Sequence, residues 1–252
     1  MIDTHVHLNS PEFVTDLDEV LERARAAGVQ RFLCPGYDLP SSRGAAELSR
    51  RERNIHAAVG VHPHDARLYD DATEEALESL LEQPGVVAVG ETGLDYHYDH
   101  SPRDVQRHVF RRHLQLARRH NQPVVVHNRE SEADLAEILE SEATGLRLVL
   151  HAFGGARELI ALGAELDLFY GIGGFVTFKN HPLAERVRDL PRSALLLETD
   201  APYLSPHPMR GRRNEPARVE IIARRLAELL DMSLEELATL TTRNFERFVR
   251  GS

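Results

Sequence analysis

The sequence predicts an α/β fold of the (β/α)8 TIM-barrel class. Short apolar runs alternate with helical patterns along 252 residues, which implies parallel strands joined by right-handed helical crossovers. The units number eight, in a length usual for one closed barrel. A histidine or carboxylate stands at the C-terminal end of six of the runs. In barrels of this class, active sites are built at that end.

The runs are Met1–His7, Val29–Asp38, Ile55–His64, Val86–Tyr96, Pro123–Arg129, Leu146–Phe153, Leu168–Phe175 and Ala194–Tyr203. In the first, Ile2, Thr4 and Val6 face one way and Asp3, His5 and His7 the other, because strand side chains alternate. Val59-Gly60-Val61 ends in His62 and His64, and Val86–Val89 ends in Gly90-Glu91. Val124–Val126 ends in His127, Leu148–Leu150 in His151, and Leu195–Leu197 in Glu198-Thr199-Asp200. Gly171, Gly173 and Gly174 make the seventh run the weakest. Between the runs, Leu17, Val20, Leu21 and Ala24 have helical spacing, as do Val109, Leu114, Leu116 and Ala117 more loosely. Thr73 reads as an N-cap ahead of Glu74–Leu81. His108, His113 and His120 read as surface residues of a polar amphipathic helix. No linker or low-complexity tract divides the chain, so one domain over 1–252 is expected.

Thirty basic against forty acidic residues leave a formal net charge of −10. That excludes a protein coating long duplexes, whose binding is mostly phosphate neutralisation. It leaves room for an enzyme touching a few phosphates. The single cysteine, Cys34, excludes an internal disulfide and reads as a small core residue. With no leader pattern and no apolar run of membrane length, a cytoplasmic protein without membrane attachment is expected.

The strand ends pool His5, His7, Glu91, His127, His151 and Asp200. Four imidazoles and two carboxylates exceed one ordinary four- or five-coordinate site. They suit two divalent ions roughly 3.5–4 Å apart that share a bridge. Glu91 is the expected bridge, since a carboxylate offers two oxygens. His5, His7 and Asp200 are expected to hold one ion, His127 and His151 the other. Asp200 is also a candidate general base toward water. Such donors accept zinc, manganese or magnesium to differing degrees.

Other polar groups form a second tier. Asp3 shares the face of His5 and His7 and is expected to support them. His62 and His64 are surplus to the metal count and are candidates for substrate contact, His62 also for transition-state stabilisation. Arg129 offers a bidentate clamp for an oxyanion. Arg210, Arg212 and Arg213 form a dense basic loop, in which Arg210 is the candidate substrate contact. Tyr96 and Tyr203 flank ligand strands and offer faces for a base.

These residues together resemble the TatD-type deoxyribonucleases. The resemblance rests on Asp3-Thr-His-Val-His7, Gly60-Val-His-Pro-His64, Gly90-Glu-Thr-Gly-Leu-Asp-Tyr96, His127-Asn-Arg129, His151-Ala-Phe153, Glu198-Thr-Asp-Ala-Pro-Tyr-Leu204 and the segment from Pro206 to Pro216. It extends to the closing helical stretch with Thr241-Thr-Arg-Asn-Phe245. It implies a metal-dependent barrel of the amidohydrolase type that trims 3′ ends of nucleic acid, largely single-stranded DNA. The family's ligand roles fall on the six residues already pooled. Thr92, Ala152 and Glu130-Ser131 depart mildly from the pattern, and none removes a ligand.

The expected function is a two-metal 3′-5′ exonuclease on single-stranded DNA, with RNA as a second substrate, acting as a monomer. An alternative is a metal-dependent hydrolase of a small ester, amide or aminoacyl bond, since one barrel hosts many hydrolases. A catalytically idle metal-binding protein is the third reading, and the intact ligand set argues against it.

Overall fold

Apolar, β-branched runs bounded by turn residues become strands, and amphipathic stretches between them become helices. The computed structural model describes residues 1–251. In chain order its main elements are β1 (Ile2–Asp3), α1 (Leu17–Ala26), β2 (Arg31–Pro35), α2 (Leu39–Arg51), β3 (Ile55–Val59), α3 (Asp71–Leu81), β4 (Val86–Asp95), α4 (Arg103–His120), β5 (Val124–Arg129), α5 (Glu132–Glu142), β6 (Leu148–Leu150), α6 (Arg157–Leu162), β7 (Leu168–Ile172), α7 (Leu183–Arg186), β8 (Leu195–Leu197), α8 (Val219–Leu230) and α9 (Leu234–Arg250). The strands lie in one sheet in the order β1 to β8, and each described pairing is parallel. This is the (β/α)8 arrangement. Strands such as β7 are buried throughout, as both faces of a helix-covered parallel sheet must be. Among the described residues no helix is long and apolar enough to cross a membrane.

The helical spacings hold, with two corrections. The α3 helix starts earlier than Thr73: Asp70 is its N-cap and accepts from the Thr73 amide. Thr73 hydroxyl bonds the same carboxylate, so the threonine supports the cap without being it. His113 is not a surface residue but is fully buried on α4. Its Nδ1–H donates to the Val109 carbonyl at 2.8 Å, and its Nε2 accepts from the Val61 amide at 3.0 Å. Both nitrogens are satisfied in the neutral form, which is how a polar ring enters a core. Burial pushes this imidazole down to about 4. Cys34 is a buried core residue, its thiol raised to about 12 by the same loss of solvation.

By internal packing the chain divides into two compact units. One comprises Met1–Cys34, His151–Gly155 and the residues from Phe169 onward. There the chain ends of β1 and β8 are laced together. Thr4 N–H donates to Leu197 O at 2.9 Å, His7 N–H to Ala201 O at 2.8 Å, and Asp200 N–H to His5 O at 2.9 Å. Asp3 accepts from the Thr199 amide and hydroxyl at 2.9 and 2.6 Å. These bonds set the register of the two ligand-bearing segments.

The other unit comprises Pro35–Leu150 and Ala156–Leu168. The β4–β5 ladder shifts register between Val89 and Thr92, and a bulge of this kind re-aims the side chain inside it. That side chain is Glu91. Gly90 makes the turn possible: its φ is +137°, and a Cβ there would meet Val125 O at 2.6 Å.

Candidate metal centre

In the first unit, the segment that follows β1 delivers His5 and His7, and the segment after β8 delivers Asp200. Asp200 sits at φ +56°, a left-handed conformation that Asp tolerates better than most residues. The His5 and His7 Nε2 atoms approach to 3.3 Å. Asp200 Oδ1 lies 3.7 Å from the first and 3.5 Å from the second. A tetrahedral ion with ligand bonds of about 2.1 Å separates its ligand atoms by roughly 3.4 Å. The three donors therefore have the spacing of one face of such a site. Burial raises the Asp200 carboxyl, but the His7 hydrogen bond and the three neighbouring imidazoles outweigh it and hold the group below its usual range.

His151 joins this cluster. Its ring stacks on His5 with centroids 3.9 Å apart, and its Nδ1 lies 3.8 Å from Glu198 Oε1. His5, His151 and Glu198 form a second donor triad of suitable spacing. Glu198 is fully buried and accepts the Ala152 amide through Oε1. Gly171 leaves it the room, since a Cβ there would fall 2.0 Å from Oε2. Asp3 accepts the His5 amide at 3.4 Å and braces the Asp200 segment through its two bonds to Thr199. Burial pushes its carboxyl up to about 7 against the pull of those bonds.

In the second unit, β4 and β5 bring Glu91, Asp95 and His127 together, and the turn after β3 adds His62 and His64. His127 Nδ1 lies 3.0 Å from Glu91 Oε1, and its Nε2 lies 3.0 Å from Asp95 Oδ2. Burial lowers the affinity of this ring for a proton, yet the two carboxylates win and raise it to about 9. His62 Nε2 stands 3.5 Å from Glu91 Oε1, completing a triad of cation-compatible spacing. The His62 Nδ1 accepts the His64 amide at 3.2 Å. A neutral ring that accepts at Nδ1 carries its proton on Nε2. His62 thus points a donor at Glu91.

The remaining candidates divide. His64 donates from Nε2 to Asp95 at 3.1 Å. Arg129 lies at the exposed end of β5, its guanidinium 4.7 Å from the Tyr98 ring centre. Tyr203 is exposed, with its ring edge-on to His7 at 5.9 Å. Arg210 stacks on Phe178 at 4.4 Å. Arg213 is committed elsewhere, to Asp16 and the Glu12 carbonyl. Tyr96 is also committed, its hydroxyl to Asp134 and its face to Arg103 at 4.3 Å. The sequence reading passed over Asp95 and Glu198. A period-2 signal was present for Asp95, which stands four residues from Glu91 on β4.

The chain is similar to known proteins over nearly its whole length. The family model described as TatD related DNase matches residues 2–250. The chain is 43% identical over 255 residues to YabD of Bacillus subtilis, named an uncharacterized metal-dependent hydrolase, with 99% of each chain covered. It is 38% identical over 251 residues to TatD of Citrobacter koseri, named a 3′-5′ ssDNA/RNA exonuclease, covering 97% of this chain and 96% of that one. Among solved structures, YjjV, a TatD homolog from Escherichia coli K12, superposes with a TM-score of 0.93 at 30% identity, covering 99% of this chain and 97% of that one.

Proposed function

The chain belongs to the TatD-related DNase family, and from that premise we propose that it is a 3′-5′ exonuclease of single-stranded DNA and RNA that works with two divalent ions. Its membership makes it a metal-dependent hydrolase acting on ester bonds. One observation carries the finer reading: His5, His7 and Asp200 converge at 3.3 to 3.7 Å on a point that suits a cation. A relative's name supplies the substrate class.

The donor set fits zinc, manganese or magnesium. Bound divalent ions would supply Lewis acidity toward the phosphoryl oxygens and make water a stronger acid. The protein's part is positional and protonic. In this reading His5, His7 and Asp200 would hold one ion, with His151 stacked on His5 in the same cluster, and Glu91 and His127 would hold the other. Asp200 takes the proton of the attacking water. His62, as a donor beside Glu91, steadies charge that develops on the phosphate. Arg129 grips a non-bridging oxygen, while His64, Tyr203 and Arg210 are the remaining substrate contacts.

The test is digestion of oligonucleotides labelled at either end, single- and double-stranded, with added metal. Stepwise loss from 3′ ends of single strands is expected. Rapid turnover of model esters or lactones without any oligonucleotide cleavage would replace this reading with that of a small-ester hydrolase. The proposal includes a monomer acting in the cytoplasm, which sedimentation and cell fractionation check.

A further inference from the structure

Asp95 is fully occupied, and its two oxygens do different work. Oδ1 accepts the backbone amides of His97 and Tyr98 at 3.1 and 2.9 Å, which folds the turn after β4. Oδ2 accepts two imidazole N–H groups, His127 Nε2 at 3.0 Å and His64 Nε2 at 3.1 Å. The residue is 1% exposed. Gln106 pins its backbone on both sides, accepting the Asp95 amide at 2.8 Å and donating to its carbonyl at 3.1 Å.

We infer that Asp95 is a positioning residue that dictates which nitrogen His127 offers to a cation and locks His64 with the same oxygen. The inference rests on the metal-hydrolase reading of the Glu91–His127 cluster. An ionised carboxylate only accepts. His127 must therefore carry a proton on Nε2, and in the neutral ring its lone pair is at Nδ1. That lone pair lies 3.0 Å from Glu91 Oε1, and two acceptors at that distance repel unless a proton or cation lies between them. The ring is thereby committed to ligation through Nδ1, on the Glu91 side. A carboxylate behind a ligating imidazole fixes its tautomer and raises its basicity. Here the same oxygen also fixes the ring of His64, a residue 30% exposed. One buried oxygen thus ties a metal ligand to a proposed substrate contact.

The geometry supplies a variant that separates orienting from folding. Asp95→Asn keeps an oxygen for the His97 and Tyr98 amides but replaces Oδ2 with an NH2 group, which cannot accept from either ring. Circular dichroism should stay native-like, the thermal midpoint should drop with the lost ring pairing, and zinc affinity measured by chelator competition should fall about 10- to 100-fold. In the zinc-loaded wild type, nitrogen-detected NMR of the His127 ring should show a protonated Nε2 and a zinc-shifted Nδ1. A wild-type ring bound through Nε2 overturns the inference whatever becomes of the variant. So does a folded Asp95→Asn protein whose zinc affinity falls by less than about fivefold. Both readouts are independent of substrate. An enzyme that passes them yet leaves oligonucleotides intact loses the exonuclease reading and keeps this one.

Discussion

A cation that binds at His127 Nδ1 must displace a proton, and the local charges set how hard that is. In the metal-free protein the ring is held as an imidazolium between Asp95 and Glu91, with its pKa raised to about 9. The stability from this pairing is fully present below the ordinary histidine value near 6.5 and is lost as pH rises through about 9. Metal binding has the opposite dependence. Below about 9, each unit of pH should raise the apparent association constant about tenfold. Between pH 7 and 9 the gain is about 100-fold, or about 2.7 kcal/mol at 1.36 kcal/mol per unit. The assay is manganese titration of the metal-free protein against a fluorescent chelator, from pH 6 to 9.5 at fixed ionic strength. His127→Ala should lose the steep component and keep any binding at His5, His7 and Asp200. A flat affinity between pH 7 and 9, or the same slope in His127→Ala, would refute the reasoning.

Glu91→Gln should abolish hydrolysis with native-like circular dichroism and lower bound metal, because the isosteric amide lacks the charge that a metal ligand needs. Wild-type turnover in that variant would move the central role elsewhere. Gly171→Ala puts a Cβ where Glu198 Oε2 lies, 2.0 Å away. It should destabilise the fold by about 1–3 kcal/mol in denaturant titration and weaken metal retention, whereas a neutral result would mean that Glu198 has room to move. His113 stays neutral in the native state down to about pH 4 but protonates near 6.5 when unfolded. Acidification from 6.5 to 4 should therefore remove up to about 3.4 kcal/mol of stability, and His113→Gln should be less acid-sensitive than wild type in denaturant titrations across that range. Arg129→Lys should reduce oligonucleotide turnover with metal content unchanged, since it keeps the charge and loses the fork; unaltered kinetics would remove Arg129 from the phosphate.

The fold was legible because strand and crossover signals alternate eight times, and β1 to β8 lie within the predicted runs. The first run was expected to be extended through His7, whereas the strand itself covers only Ile2–Asp3 and the two histidines follow it. What escaped were roles decided by a second partner. His113 sits among arginines and glutamines and reads as polar surface, and only the Val61 amide, 52 residues away, makes it a core residue. Asp95 stood inside a quoted motif, but its importance lies in two rings that the sequence does not order around it. The grouping of His151 with His5 and Glu198 likewise depends on three segments converging. Arg213 looked available for phosphate until Asp16 took it. A charged side chain in a basic loop does not announce its partner in sequence.

The lacing of β1 to β8 has a consequence for how the protein assembles. Thr4 hydroxyl bonds Leu197 O across 193 residues, and Asp3 reaches Thr199 across 196. Closing so long a loop carries an entropic penalty that grows only with the logarithm of its length, but the reward arrives only after both ends are made. The His5–His7–Asp200 donors cannot meet in any partly folded or partly synthesised chain that lacks its last strand. A cation captured there is captured by the native state alone, and at 100 times its dissociation constant it would stabilise that state by about 2.7 kcal/mol. Metal availability would then govern how much of the protein survives proteolysis as well as how fast it works. The ion would act as a clasp between the segments that follow the first and last strands, in effect a reversible cross-link made without cysteine.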